Sequence, residues 1–237
     1  MKTSGGSDAA KRRAGESAAE VVDDGSVVGL GTGSTAAHAI RRLGDRVDAG
    51  LDVRGVATSF ASRELAVDHG IPLVGLDEAV GPDGPGIDVA IDGADQVAAG
   101  DDSSALLKGG GAAHAREKLV DTAADRLLVV VDPSKETGVL DGAVPVEVLP
   151  DGRSVVAEAV RAAGGEPALR RAERKDGPVI TDNGHVVLDC AFGPIPEPGS
   201  LAATLAGIPG VVEHGLFVGL ADAVHVGTAD GVCVREP

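Results

Sequence analysis

Two carboxylates, one lysine and one glutamate are the residues of this chain best suited to chemistry. Asp92-Gly93-Ala94-Asp95 places two carboxylates at the end of an apolar run, with Gly93 permitting a tight bend. Lys108 precedes Gly109, Gly110 and Gly111, so its ammonium stands beside backbone that a ligand can approach without Cβ obstruction. Glu117 follows about two turns into a helix predicted from about Ala112 to Asp121, near enough to a ligand over the glycines to act as a base. Plainer readings stand beside these. Two Asp in a loop of an acidic chain also serve as solvated turn residues, and Glu117 by itself reads as a surface partner for Arg116, Lys118 or Asp121. Scarcity favours Lys108, since the only lysines are Lys2, Lys11, Lys108, Lys118, Lys135 and Lys175.

A third cluster is Gly29-Leu30-Gly31-Thr32-Gly33-Ser34-Thr35. Glycines and hydroxyls at a helix N-terminus present free N–H groups and the positive end of the dipole, which suits a phosphate monoester. An ordinary βα turn is the alternative. A dinucleotide site is disfavoured because Ser34 stands where the third glycine of G-x-G-x-x-G belongs, and the next strand ends on Thr58-Ser59 without an acidic residue. Asp132-Pro133-Ser134-Lys135 ends a further strand. His38 and His114 read as residues on polar helix faces, and His69 as a C-terminal cap.

These clusters share a position just beyond apolar strands, where open α/β sheets bind ligands. Strands are predicted at Val27–Leu30, Val53–Ala57, Ile71–Val74, Ile87–Ile91 and Leu127–Val131. Helices are predicted from Ser7 to Val22, from a Ser34-Thr35 cap to a stop at Gly44, and from Ser59 to His69 before Gly70. The alternation implies a Rossmann-like, mostly parallel sheet flanked by helices. From Gly138 the pattern changes to an antiparallel α+β lobe, ferredoxin-like, with a helix at Ser154–Ala163 and strands at Val179-Ile180 and Val186–Cys190 around Asp182-Asn183-Gly184. The strand-rich tail, Leu216 to Val234, is expected to rejoin the first sheet. The resulting division is 1–137 plus 208–237 for an α/β catalytic domain and 138–207 for a lobe making oligomer contacts.

Bulk composition narrows the partners. The 237 residues carry a formal charge of −16, which repels nucleic acid and anionic membrane over most of the surface. An Asp-rich, Lys-poor balance fits high salt, where self-repulsion is screened. Apolar residues make up 43% but aromatics only 1%, so the core must be built from Val, Ala, Leu and Ile. Cys190 and Cys233 lack metal-ligand spacing and read as reduced core residues, so no metal is expected. The absence of an apolar leader or membrane-length run leads to a cytoplasmic expectation.

Taken in order, G-L-G-T-G-S-T-A-A-H, D-G-A-D-Q-V and K-G-G-G-A-A-H-A-R-E-K resemble type A ribose-5-phosphate isomerase, as do D-P-S-K, P-V-E-V, V-I-T-D-N-G, I-P-G-V-V and G-T-A-D-G-V. The resemblance spans nearly the whole chain. It implies interconversion of D-ribose 5-phosphate and D-ribulose 5-phosphate through an enediol, in the non-oxidative pentose phosphate pathway, by a homodimer or homotetramer with no cofactor. It assigns Glu117 as the base, Lys108 to the enediolate oxygen, and Asp92 and Asp95 to ring opening and proton traffic between hydroxyls. Thr32, Gly33, Ser34 and Thr35 would hold the phosphate, joined by Lys135 and Lys11, and Gly93, Ala94, Gly109, Gly110 and Gly111 would line the substrate. A positioned base contributes about 10²–10⁴ in rate and a cation at the forming oxyanion about 10²–10³, so the assigned pair is chemically apt. The text departs from the family pattern at Ala57-Thr58-Ser59-Phe60 and at Ala191-Phe192-Gly193-Pro194.

Two other readings compete. An amino-sugar phosphate isomerase or deaminase relative would share the first loop, but the Asp-Gly-Ala-Asp and Lys-Gly-Gly-Gly pair disfavours it. A sugar-phosphate-binding regulatory module should carry a helix-turn-helix and a basic face, and neither is evident.

Overall fold

Val27–Leu30 (β1) is buried at every residue, as expected of a strand covered on both faces. In the computed structural model, which describes residues 6–99 and 104–236, β1 lies inside a six-stranded sheet. Its other members are β2 (Arg54–Ala57), β3 (Val89–Gly93), β6 (Leu127–Val131), β13 (Ala223–Gly227) and β14 (Val232–Arg235), in the order β14-β13-β6-β3-β1-β2. All neighbours are parallel except the edge strand β14, which runs antiparallel to β13.

The described residues of Thr3–Ala94, Arg116–Glu136 and Leu220–Pro237 form the compact unit that contains this sheet. Its helices are α1 (Asp8–Glu20), α2 (Ser34–Asp48), α3 (Phe60–Asp68), the short α4 (Leu76–Val80) and most of α5 (His114–Ala123). One core joins Ala14 and Ala18 of α1, Ile40 and Leu43 of α2, and Val28, Leu30, Ile91, Leu128 and Val130 of the sheet. Each large aliphatic side chain so buried contributes about 1.5–3 kcal/mol. Small residues set the helix spacing: a Cβ on Gly15 would lie 2.7 Å from the backbone of Thr35 and Ala39, so α1 and α2 touch almost backbone to backbone. Helix α1 also ties to the last part of the chain. Ser17 Oγ and His225 Nδ1 are 3.0 Å apart, Arg13 Nη1 donates to Thr228 O at 2.7 Å, and a Cβ on Gly227 would meet Ala10 O at 1.9 Å.

The second unit comprises the described residues of Asp95–Ala115 and Thr137–Gly219. One sheet runs in the order β11-β8-β10-β9, built from β8 (Val144–Val148), β9 (Glu166–Leu169), β10 (Val186–Ala191) and β11 (Val211–His214), all antiparallel. Another has the order β12-β5-β4-β7, from β4 (Gln96–Ala99), β5 (Ser104–Leu107), β7 (Glu136–Thr137) and β12 (Leu216–Val218). Helices α6 (Arg153–Ala162) and α7 (Pro198–Ala206) complete the unit. Val144, Val146, Val148, Leu188 and Cys190 point into its core with Val156, Val160 and Leu205 of the helices.

The α/β class and the antiparallel lobe agree with the sequence reading, and several local expectations do not. Gly44 does not stop α2, which continues to Asp48. A Cβ there would sit 2.6 Å from His69 Cβ, so this glycine serves close packing. Ser34 is the first residue of α2 and the N-cap is Gly33, with no side-chain cap. Ile71–Val74 forms only an isolated bridge from Leu73 to Gly55, and Ile180 only one to Val186. Strand β12 pairs with β5, so only β13 and β14 of the tail join the first sheet. Cys233 is exposed, whereas Cys190 is buried.

Candidate active site

In the larger unit the loop after β1 turns at Gly31-Thr32-Gly33. Gly33 has φ of 114°, which only glycine adopts without strain, and the first amides of α2 follow it. Ser34 is exposed and Thr35 is buried. With no side chain capping the helix, these amides and the helix dipole are suited to an anion. Lys11 lies on α1 one turn before Gly15, on the face that meets the beginning of α2.

Thr32 is held by hydroxyls from the end of β2. Its Oγ1 donates to Ser59 Oγ at 2.7 Å and lies 2.9 Å from Thr58 Oγ1, which in turn donates to Leu30 O. Ser59 is the N-cap of α3, locked in a capping box with Ser62. The sequence marked Thr58 and Ser59 as a strand end, a helix start and a departure from the family pattern, and the structure places them directly against the phosphate-loop candidate.

Asp92 is 1% exposed at the end of β3. Its Oδ1 accepts from the amides of Thr32 at 2.9 Å and Gly93 at 2.7 Å. The carboxylate therefore joins the ends of β1 and β3 and is no solvated turn residue. Asp132 is likewise fully buried at the end of β6, and its Oδ1 accepts from Ser134 N, capping the 3-10 turn Pro133–Lys135. Lys135, half-buried, closes that turn.

The smaller unit holds Asp95 and Lys108. Asp95 N–H donates to Leu107 O, and its Oδ2 accepts from Gly110 N–H at 2.7 Å. Lys108 is 2% exposed, with Nζ 5.2 Å from the centre of the Phe217 ring, a cation–π distance. Its amide donates to Gly215 O. Gly109 has φ of 101°, and Ala112, the one non-glycine residue with positive φ among those described, has φ of 60°. Holding Ala112 there costs about 1–2 kcal/mol, so the turn between Lys108 and α5 is kept against local preference. Phe217 and Gly215 lie a hundred residues beyond Lys108, and no spacing in the sequence connects them.

That turn also moves the start of α5 to His114, two residues later than predicted. Glu117 is accordingly in the first helical turn rather than two turns in, where the N-terminal dipole favours its charge. It is 4% exposed, which removes the reading of a solvent-facing surface partner. His114 is fully buried, contrary to a polar-face position, and its Nε2 is 3.3 Å from Glu213 O. The structure thus groups Thr32 with Asp92 in one unit, and Asp95 with Gly110 beside Lys108 in the other. Among the described residues no group of three or more His, Cys, Asp or Glu could hold a metal ion, and no helix is long and apolar enough to cross a membrane.

Known proteins bear directly on this arrangement. Residues 54–231 match the family ribose 5-phosphate isomerase A (phosphoriboisomerase A). The ribose-5-phosphate isomerase A of Halorubrum lacusprofundi is 78% identical over the full length of both chains. The solved ribose 5-phosphate isomerase A of Methanocaldococcus jannaschii superposes with a TM-score of 0.89 at 43% identity, covering 96% of this chain and 98% of that one. A D-ribose-5-phosphate isomerase solved in complex with phospho-erythronic acid gives 0.90 at 39% identity, with the same coverage. A shared sheet order could arise without shared chemistry, but identity of this extent over whole chains does not; the chain belongs to the ribose 5-phosphate isomerase A family.

Proposed function

We propose that this chain interconverts D-ribose 5-phosphate and D-ribulose 5-phosphate through an enediolate, with no metal or organic cofactor. Glu117 takes the C2 proton of the open-chain aldose and returns it to C1. Lys108 faces the oxygen that becomes negative, and Asp92 and Asp95 serve ring opening and proton exchange between the hydroxyls. The amides and hydroxyls from Thr32 to Thr35 hold the phosphate, with Lys11 and Lys135 adding charge, while Gly93, Ala94 and Gly109 to Gly111 line the sugar.

The observation that carries the reading is Lys108. A lysine 2% exposed, seated on an aromatic ring beside a turn that holds Ala112 at positive φ, is costly to bury and stands in a chain that uses little lysine. The carboxylate ligand of the related solved enzyme supports the same chemistry, since two oxygens on one carbon resemble an enediolate's pair. We read the protein as a cytoplasmic homodimer or homotetramer whose 138–207 lobe makes subunit contacts; Val139, Leu149, Val155 and Ile180 expose apolar side chains there.

The test is ketose formation from ribose 5-phosphate by the purified protein in KCl with chelator present. Glu117→Gln should lower kcat by about 10²-fold or more. Activity near wild type would remove Glu117 as the base, and tight binding without turnover by the wild type would favour a sensor.

A further inference from the structure

We infer that Arg170 is a positioning residue for Asp95, acting through the single peptide that joins Gly109 to Gly110. Arg170 follows β9 directly, and its amide donates to Val187 O on β10. All three of its guanidinium nitrogens donate. Nε donates to Asp189 Oδ2 at 2.9 Å, Nη2 donates to Asp189 Oδ1, and Nη1 donates to Gly109 O at 2.8 Å, with Gly110 O at 3.4 Å. The side chains of Arg170 and Asp189 are only 11% and 24% exposed, so this pair is sheltered from the screening that weakens surface ion pairs.

The carbonyl that Arg170 grips and the amide that donates to Asp95 belong to the same peptide. One end of its dipole meets a cation and the other a carboxylate, which fixes the peptide plane and strengthens the N–H donor. The chain of bonds runs Asp189, Arg170, Gly109 C=O, Gly110 N–H, Asp95 Oδ2. No other side chain would serve equally: lysine cannot hold two carboxylate oxygens in a fork and a carbonyl at once. Steric limits keep the peptide bare, since a Cβ on Gly110 would lie 2.8 Å from Asp95 Oδ1 and one on Gly109 would lie 2.8 Å from His114 Nδ1. The neighbouring backbone of Lys108 is tethered separately, through its amide to Gly215 O, so loss of the arginine should turn the 109–110 peptide without releasing the whole loop.

The catalytic part of this inference rests on the isomerase reading, and the experiment separates the two. Arg170→Met, Arg170→Lys and Asp189→Asn would be compared with wild type by steady-state kinetics, thermal unfolding, and the chemical shift and hydrogen exchange of the Gly110 amide. For Arg170→Met, kcat should fall about ten- to a hundredfold with KM changed less than about threefold, as expected for a displaced catalytic group. Gly110 should exchange faster while Val146, in the lobe core, keeps its protection. Arg170→Lys and Asp189→Asn should lie between Arg170→Met and wild type in both measurements. An unchanged Gly110 amide in a folded Arg170→Met overturns the inference whatever the activity does, and so does kcat within twofold of wild type. Should Arg170→Met not fold, the same criteria apply to Asp189→Asn. A wild type inactive on ribose 5-phosphate would reject the isomerase reading, leaving the amide measurement to decide the positioning.

Discussion

The Asp92 carboxylate accepts the amide of Thr32, 2.9 Å away at the end of the adjacent strand, and this bond couples the acid of one loop to the phosphate-loop candidate of another. The approach is possible because Gly31 has no side chain: a Cβ there would lie 2.3 Å from Asp92 Oδ1 and 2.5 Å from Asp92 Cα.

Gly31→Ala should therefore destabilise by about 1–3 kcal/mol, because Asp92 backbone cannot move aside cheaply. Asp92→Asn keeps the Oδ1 acceptor for the Thr32 and Gly93 amides and should hold the fold, whereas Asp92→Ala leaves both amides unmet at about 1–3 kcal/mol. All three should lose isomerase activity. Equal melting temperatures for Asp92→Asn and Asp92→Ala would show that the carboxylate does not join the strand ends.

Acid sensitivity should trace in part to His225. Burial, with a smaller contribution from the charge of Arg126, lowers its pKa below the ordinary 6.5. The unfolded chain then binds a proton more readily than the folded one. The stabilisation is complete above the unfolded pKa and is lost as pH falls below it toward the folded value. Melting temperatures between pH 7.5 and 5 should decline more steeply for wild type than for His225→Gln. Parallel declines would exclude His225 as a source.

Added KCl should raise stability. With −16 formal charges on 237 residues, self-repulsion acts across distances that about 1 M salt screens to about 3 Å. Each kcal/mol recovered should appear as about 2–4 °C in melting temperature. A midpoint flat or falling from 0.1 to 2 M KCl would mean that the acidic surface is not adapted to salt.

What the sequence made legible follows the range of the interactions. β1, the glycine turn and α2 form one continuous pattern, and β6 was read to the residue because Leu127–Val131 is a pure apolar run between polar stops. Asp92, Lys108 and Glu117 were singled out by motif as candidates, but their burial was not legible: nothing near Glu117 in sequence announces 4% exposure, since its helix carries charge at Arg116, Lys118 and Asp121. Arg170 was missed for a clear reason. It sits in the polar stretch Arg170-Arg171-Ala172-Glu173-Arg174-Lys175, about sixty residues from the carbonyl it grips, and looks like surface. Gly44 misled because a glycine near a helix end is usually a stop, and here a neighbouring side chain needed the space. The β4–β5 pair was overlooked because its strands are four residues each, next to the acidic Asp101-Asp102.

The tie between α1 and β13 has a consequence for biosynthesis. Helix α1 packs on a strand that is translated long after it, with Ala10 against Gly227 and Ser17 against His225. Until β13 leaves the ribosome, β6 remains an open sheet edge and the side of α1 that β13 covers stays bare. The central sheet is thus completed late in synthesis, and a chain cut short before residue 223 would present a bare parallel edge of Leu127–Val131 to its neighbours.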